Sequence, residues 1–373
     1  MALRDLVRSG RARWLVPAAA LGVIVAGVGV GTTVAGAAPA LAPRTPAELL
    51  ASLAHAGAQP FSGTVVETAD LGLPALPAAG STSLSWQSLV SGSHTARVWY
   101  ASPKQVRVSL IGDLAESDVV RNGRDVWLWS SRDNTVDHTV LPAGSTSAPD
   151  STPPIDPRTA ATRALALIGP TTAVTVDGTA QVAGRAAYEL VLAPRSSSSL
   201  VAQVRLAVDS ETSVPLRVQV FAKGYADPVF ETAFTSISFD RPADSVFSFI
   251  PPPGAKVTES SVPAGSRHEA TGGTPVAVPA AGMPSGATRP TVIGSGWTAV
   301  VELDGGSALL TGGTGPEAAS LGALLRATTT VTGAFGSGQL LRTPLLSVLV
   351  LSDGRVLVGA VSPDLLEQVA GTR

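Results

Sequence analysis

Residues that could carry out catalysis are few and scattered in this chain. It contains no cysteine, which excludes disulfides, thiolate nucleophiles, thiolate zinc sites and a lipidated N-terminal Cys. The four histidines fall in a predicted helix end, two strand edges and a linker, without the spacing of a metal site: His55, His94, His138 and His268. The G-x-S-x-G, H-E-x-x-H, G-x-x-x-x-G-K-[ST] and G-x-G-x-x-G motifs do not occur. The sequence therefore predicts no catalytic residue, no metal and no cofactor, and a hydrolase is only a remote alternative.

The distribution of aromatic residues is the clearest functional signal. Four of the six tryptophans lie between positions 86 and 129, with Tyr100 among them. Such a cluster fits either ordinary packing or the lining of an apolar cavity between a curled sheet and helices, which suits an acyl chain. The residues predicted to line this cavity or its rim are Trp86, Trp99, Val106, Val108, Trp127, Trp129 and Leu206. Strand phase alone leaves the inward face open, and Val108 and Trp127 could point opposite ways.

The elements that position these residues are predicted to be mainly β-strands. From Phe61 to Phe239 polar and apolar residues alternate in about a dozen runs, such as Gln105–Leu110, and Asn122-Gly123 indicates a tight hairpin turn. The phases of Phe230 and Phe234 on one side, and of Ile237 and Phe239 on the other, predict a β-bulge near Thr235 or Ser236. A single sheet of this size is expected to curl.

Two short helices accompany the predicted strands. Thr45, Pro46 and Glu48 have the spacing of an N-terminal capping box, and Gly57 follows as a stop signal. Asp156 and Pro157 begin the second helix, which is expected to reach Ile168. Both helices are amphipathic or short, so they are expected to cover part of the sheet.

The N-terminus predicts export. Residues 1–13 carry four Arg against one Asp, and about 24 apolar or small residues follow without a charge. Residues 1–40 are therefore interpreted as a signal peptide or a membrane anchor, with both possibilities open, and the arginines stay on the cytoplasmic side. The rest of the chain would be extracytoplasmic, either anchored to the cytoplasmic membrane or secreted.

Composition narrows the class of partner. The net charge is −2 and no long Lys/Arg run follows residue 13, so nucleic acids are excluded as partners. Apolar residues make up 45% of the chain and charged residues 14%, which favours packed cores over long disorder. Only three of the basic residues are Lys, a composition typical of a GC-rich genome.

The exported part divides into two predicted domains. Residues 41–258 contain the alternating strands, and residues 259–290, with five Pro, five Gly and no aromatic residue, have the composition of a linker. Residues 291–373 are predicted to form a small α+β domain. Its elements would be a strand at 297–303, a helix at 316–327, a hairpin around Asp353-Gly354 and a last helix from Ser362.

Several short motifs follow one another in an order that resembles the LolA/LolB lipoprotein-carrier superfamily. They are a P-x-x-x-R strand, an N-G-x-x-x-W strand and a terminal F-x-F-x-P-P-x-G stretch, here Pro103 and Arg107, Asn122, Gly123 and Trp127, and Phe247, Phe249, Pro252 and Gly254. The resemblance implies a half-open antiparallel β-barrel of about 11 strands with a helical lid. It also implies that a lipid or a lipoprotein acyl chain is bound without catalysis.

The C-terminal stretch Leu345–Leu366 is similar to the smaller domain of RseB/MucB-type regulators. There a hairpin leads to a V-G-x-V-P sequence and a final helix. This resemblance implies a partner such as a membrane anti-sigma factor or a lipoprotein. A carrier or envelope sensor is the first interpretation, and a regulator that binds its partner through residues 291–373 is the alternative.

Overall fold

The structure is a computed structural model that describes residues 39–55, 59–72, 91–112, 115–143, 156–261, 291–304 and 327–372. These residues all belong to one compact unit, Pro39–Arg373. Trp86, the predicted strand at 82–90, nearly all of residues 1–40 and of the predicted linker, and the predicted helix at 316–327 apart from its last residue lie outside them. Within the described ranges no helix is long and apolar enough to cross a membrane.

The alternating region forms one sheet of twelve strands. They are β1 (Phe61–Asp70), β2 (Ser91–Ser102), β3 (Gln105–Ile111), β4 (Glu116–Asn122), β5 (Asp125–Ser130), β6 (Thr135–Val140), β7 (Thr172–Val182), β8 (Arg185–Pro194), β9 (Val201–Asp209), β10 (Pro215–Ala222), β11 (Phe230–Ser238) and β12 (Lys256–Ser261). Their order across the sheet is β12-β6-β5-β4-β3-β2-β1-β11-β10-β9-β8-β7. The mainly β class is confirmed. Because β12 and β7 are the two edges, the described strands form an open sheet and not a closed barrel.

The strand count and pairing differ from the expectation of about 11 antiparallel strands. After the run of prolines, β12 pairs with β6 in parallel, with Lys256 beside Thr135 and Ser261 beside Val140. Residues 251–253 are prolines, which have no backbone N–H to donate to a ladder, and strand pairing begins after them at Lys256. The strand extends to residue 261, beyond the predicted start of the linker at residue 259.

The predicted bulge in the long strand β11 is confirmed. Thr64 pairs with Ser236 and Val65 with Phe234, so Thr235 is the extra residue, and its hydroxyl donates to the Thr64 carbonyl at 3.2 Å. Gly63 lies beside the bulge, where a Cβ would come within 2.4 Å of the Ser236 carbonyl oxygen. The close approach of the two strands therefore requires glycine at position 63.

The two predicted helices are confirmed as α1 (Pro46–His55) and α2 (Pro157–Leu165). At α1, Glu48 accepts from the Thr45 backbone N–H at 2.7 Å and donates its own N–H to the Thr45 hydroxyl at 3.3 Å, which is the reciprocal capping box. At α2, the Asp156 carboxylate accepts from the Thr159 N–H at 2.9 Å. α1 packs against β7, and α2 packs against β10 and β11.

The C-terminal region has its own sheet and core. Its six strands and one helix are β13 (Thr291–Ile293), β14 (Val300–Leu303), β15 (Thr329–Gly333), β16 (Gly336–Arg342), β17 (Ser347–Leu351), β18 (Val356–Gly359) and α3 (Pro363–Gly371). The predicted hairpin around Asp353-Gly354 joins β17 to β18. The β15–β16 hairpin was not predicted, although its Thr-rich first strand and its Gly-bounded turn are ordinary signals of one.

The second sheet is attached to the first by a buried tryptophan and by backbone hydrogen bonds. Trp297 is 5% exposed, packs among the core residues beneath α1 and α2, and donates its indole N–H to the Thr172 hydroxyl at 2.8 Å. The Leu200 N–H donates to the Ala360 carbonyl at 2.9 Å, and the Ser362 N–H donates to the Ser198 carbonyl at 2.7 Å. These contacts join the β8–β9 connection directly to the segment between β18 and α3.

Candidate functional site

Cross-strand rows define the two faces of the twelve-stranded sheet. In antiparallel pairs, directly opposed residues project to the same face. One row runs Leu190, Leu206, Val218, Thr232, Glu67, and its aliphatic members pack with α1 and α2. We call this the helix face. The opposite surface is covered in part by the segment 244–255, which we call the strap, and we refer to it as the strap face.

The predicted cavity residues divide between these faces. Val106, Val108 and Leu206 lie on the helix face. The row Trp99, Arg107, Val120, Trp127 lies on the strap face, and so does Trp129, which opposes Asp118. Val108 and Trp127 therefore point to opposite sides of the sheet. Trp86, the remaining predicted member, lies outside the described residues.

The helix face carries an apolar row that becomes more exposed with distance from the helices. Val98, Val108, Val119 and Leu128 oppose one another across β2 to β5. Val98 is 2% exposed and Val108 7%, whereas Val119 is half-buried and Leu128 is 37% exposed. This row forms an apolar surface that begins in the core and opens toward the β5 and β6 side.

A buried carboxyl group lies in the middle of the helix face. Glu67 is 1% exposed, and neither of its carboxylate oxygens has a hydrogen-bond partner among the described residues. Burial raises its pKa to about 7, because the charged form is poorly solvated there. Glu67 was not among the residues predicted from the sequence, although it shares the phase of Phe61 and Val65 in β1.

The strap is held by the residues that carry the motif resemblance. The Arg107 guanidinium pairs with the Asp118 carboxylate at 2.5 Å, donates to the Val246 carbonyl at 3.3 Å and lies 5.7 Å from the centroid of the Trp99 ring. Asp118 is 1% exposed and also accepts from the Ser109 hydroxyl. Phe247 is completely buried. Arg107 and Phe247 therefore fix the strap to β3 and β4.

The second half of the strap rests on β5 and β6. The Trp127 ring stacks on His138 with centroids 3.7 Å apart and lies 5.5 Å from Phe249. Nδ1 of His138 is 2.6 Å from Glu259 and Nε2 is 3.0 Å from Asp125, so this histidine links β12 to β5.

The remaining motif positions are turn residues. Gly123 has a φ of +65°, the left-handed conformation that a two-residue hairpin needs, and its N–H donates to the Lys104 carbonyl at 2.7 Å. Pro103 and Asn122 are exposed beside this contact. Gly254 has a φ of +76°, and the Ala255 N–H donates to the Pro252 carbonyl at 3.1 Å. These residues shape the ends of the strands and do not line the helix face.

Comparison with solved structures returns the resemblance that the motifs predicted. A MucB structure in complex with the periplasmic part of MucA is 17% identical over 87% of this chain and 97% of that chain, with a TM-score of 0.43. The chain is similar to MucB and LolA-superfamily structures. The MucA/MucB complex of Pseudomonas aeruginosa is 18% identical over 87% of this chain and 96% of that chain, with a TM-score of 0.42.

A LolA-superfamily protein from Nitrosomonas europaea gives the third similarity. It is 11% identical over 56% of this chain and 99% of that chain, with a TM-score of 0.21. No family model and no curated protein matches the sequence.

Proposed function

We propose that this protein binds an acyl chain of a lipid or of a lipidated protein on the helix face, as a non-catalytic carrier or sensor of the cell envelope. The observation that carries the proposal is the row from Val98 to Leu128, which continues the core into a half-exposed apolar surface. The signal-like residues 1–40 support an extracytoplasmic site of action, anchored to the membrane or released from it.

The curvature of the sheet supports this proposal. β7 contacts β11 although β8, β9 and β10 lie between them in the sheet order. Neighbouring strands are about 4.8 Å apart, so such a contact requires strong curling. We infer that this curl is the half-open barrel that the motif resemblance implies, with α1 and α2 as its helical lid.

The hydrophobic effect sets an upper limit on the free energy of acyl-chain binding. Each methylene group that leaves water contributes about 0.8 kcal/mol, so a 16-carbon chain gives at most about 13 kcal/mol before ordering costs. A row of aliphatic side chains is sufficient for such binding, since the hydrophobic effect needs no catalytic group.

The test compares two exposed aliphatic residues on opposite faces. Leu128 is 37% exposed on the helix face, and Ile111 is 41% exposed at the end of β3 on the strap face. In the full chain, Leu128→Lys should weaken binding of a fluorescent acyl-chain probe by about tenfold or more, because it places a charge against the chain. Ile111→Lys should leave the affinity unchanged.

Mass spectrometry of the full chain purified from a membrane-containing host gives a second measurement. We expect co-purifying lipid in the wild-type protein and less in the Leu128→Lys protein. The absence of both co-purifying lipid and probe binding would overturn the proposal.

The second candidate is a regulator that binds a membrane anti-sigma factor or another membrane protein through residues 291–373. It is favoured by the attachment of the second sheet, because Trp297 lies in the same core as α1, α2 and Leu206. A ligand that moves these helices would also move the second sheet, as a sensor requires.

Photocrosslinking can separate this candidate from the first. A photoreactive residue at Thr330, exposed on edge strand β15, should crosslink a membrane protein, whereas one at Lys104 in the β2–β3 turn should not. Equal crosslinking from both positions, or from neither, would contradict the regulator function. Neither outcome bears on the acyl-chain proposal, which the Leu128→Lys comparison tests.

A further inference from the structure

A groove on the strap face lies apart from the proposed acyl-chain surface. It has a volume of about 360 Å³ and lies over β1, β2 and β11 beside the bulge at Thr235. Its lining consists of Ser62, Gly63, Thr64, Arg97, Trp99, Ser236, Ile237 and Ser238. Ligand pockets commonly measure about 300–1,000 Å³, so this groove has room for a small organic ligand and is much larger than a single inorganic anion needs.

The side chains beside the bulge at Thr235 make this groove polar. On the strap face Ser62 and Thr64 of β1 stand opposite Ser238 and Ser236 of β11, and opposite Trp99 and Arg97 of β2. The Ser238 hydroxyl donates to Asp240 at 2.9 Å. In the part of the chain that the structure describes, the hydroxyls of Ser62, Thr64 and Ser236 make no hydrogen bond. Three hydroxyl groups, each a donor and an acceptor, are thus available to a ligand.

One cation and one aromatic ring complete the lining. Arg97 is exposed, and among the described residues its guanidinium makes no ion pair. The neighbouring Arg107 differs, since it is paired with Asp118. Arg107 also lies over the half-buried Trp99 ring, 5.7 Å from its centroid. The groove therefore presents an aromatic ring, hydroxyl groups and one arginine that makes no ion pair among the described residues.

We propose that this groove binds a saccharide unit that carries one acidic group, a carboxylate or a phosphate. The Trp99 ring packs against the C–H face of the sugar, the hydroxyls of Ser62, Thr64 and Ser236 bind sugar hydroxyls, and Arg97 binds the acidic group through its planar pair of N–H donors. The site is independent of the acyl-chain surface, because it lies on the opposite face of the sheet.

The test is a titration of the full chain followed by the indole N–H signal of Trp99 in nuclear magnetic resonance spectra. The Trp99→Phe protein identifies this signal. The probes are glucuronic acid, glucose 6-phosphate, glucose and inorganic phosphate. We expect saturable shifts with both acidic sugars, an affinity for glucose at least about tenfold lower, and no Trp99 shift with inorganic phosphate.

Two arginine variants provide the matched comparison. Arg97→Gln should lower the affinity for glucuronic acid by about tenfold or more and leave that for glucose unchanged. Arg132→Gln, at an exposed position in the β5–β6 turn, should change neither affinity. The proposal is overturned if no sugar shifts the signal, if inorganic phosphate binds as tightly as glucose 6-phosphate, or if Arg97→Gln binds glucuronic acid like the wild type.

Discussion

The two faces of the twelve-stranded sheet differ in whether their buried carboxyl groups have ion-pair or hydrogen-bond partners. On the strap face, Asp118 pairs with Arg107, and Glu189 pairs with both Arg205 and Arg217. On the helix face, Glu67 is equally buried and has no partner among the described residues. Buried carboxylates with partners fix a surface in one conformation, whereas a buried carboxyl without one lowers stability. The strap face thus carries paired carboxylates, whereas the helix face carries a buried carboxyl without a hydrogen-bond partner among the described residues.

The largest expected effect tests the rigidity of the strap face. Phe247 is completely buried, so Phe247→Ala should lower the free energy of unfolding by about 4 kcal/mol, through lost burial and the cavity that remains. Ile250, three residues later and 83% exposed, is the matched control, and Ile250→Ala should change stability by less than about 0.5 kcal/mol. Chemical denaturation measures both. A loss below about 1 kcal/mol for Phe247→Ala would show that the strap does not hold the sheet.

The next effect tests the unpartnered carboxyl on the helix face. The pKa of Glu67 is raised from 4.5 to about 7 by burial, so the folded state binds the proton more tightly than the unfolded state. The free energy of unfolding is therefore highest below about pH 4.5, where Glu67 is protonated in both states. It decreases as the pH rises through 7, by about 3 kcal/mol in total. Glu67→Gln should remove this decrease and stabilise the protein at pH 8, with little effect at pH 4.5.

The measurement for Glu67 is denaturant unfolding of both proteins at pH 4.5 and at pH 8. Glu48, an exposed carboxyl in the α1 capping box, gives a control of opposite sign. Hydrogen bonds from Thr45 lower the pKa of Glu48, so Glu48→Gln should not stabilise at pH 8. An unchanged pH profile in the Glu67→Gln protein would contradict the burial of an unpartnered carboxyl.

The smallest effect concerns the edge of the strap face. His138 joins Asp125 to Glu259 and stacks on Trp127, so His138→Phe keeps the stacking but loses both polar contacts. We expect a loss of about 1 kcal/mol, together with faster amide hydrogen exchange in β12, because surface ion pairs contribute little each. Unchanged exchange in β12 would show that the backbone pairing with β6 alone holds this strand.

Local signals in the sequence predicted most of the first sheet and both of its helices. The capping box at Thr45, the cap at Asp156 and the bulge at Thr235 depend on neighbouring residues only, so they could be recognised from spacing. The parallel pairing of β12 could not, because it depends on where the strap crosses the sheet. Arg107 and Phe247, two positions of the motif resemblance, hold the strap in the structure.

The candidate site was less accessible to sequence reasoning. Alternation of polar and apolar residues separates the two faces of a sheet but does not show which face packs against helices. The predicted cavity residues included four tryptophans, and three of these lie on the strap face. The local sequence pattern does not distinguish Glu67 from an exposed polar residue of an alternating strand. Its phase with Val65 indicated the same face, but its burial depends on long-range packing that no local pattern shows.

The most direct test of the proposed function asks which face an acyl chain touches. A fatty acid with a nitroxide at the end of its chain broadens the signals of nearby methyl groups in nuclear magnetic resonance spectra. Binding on the helix face predicts stronger broadening of Val108 and Leu128 than of Val120 and Val136 on the strap face. Stronger broadening of Val120 and Val136, or no broadening at saturating probe, would contradict the proposal.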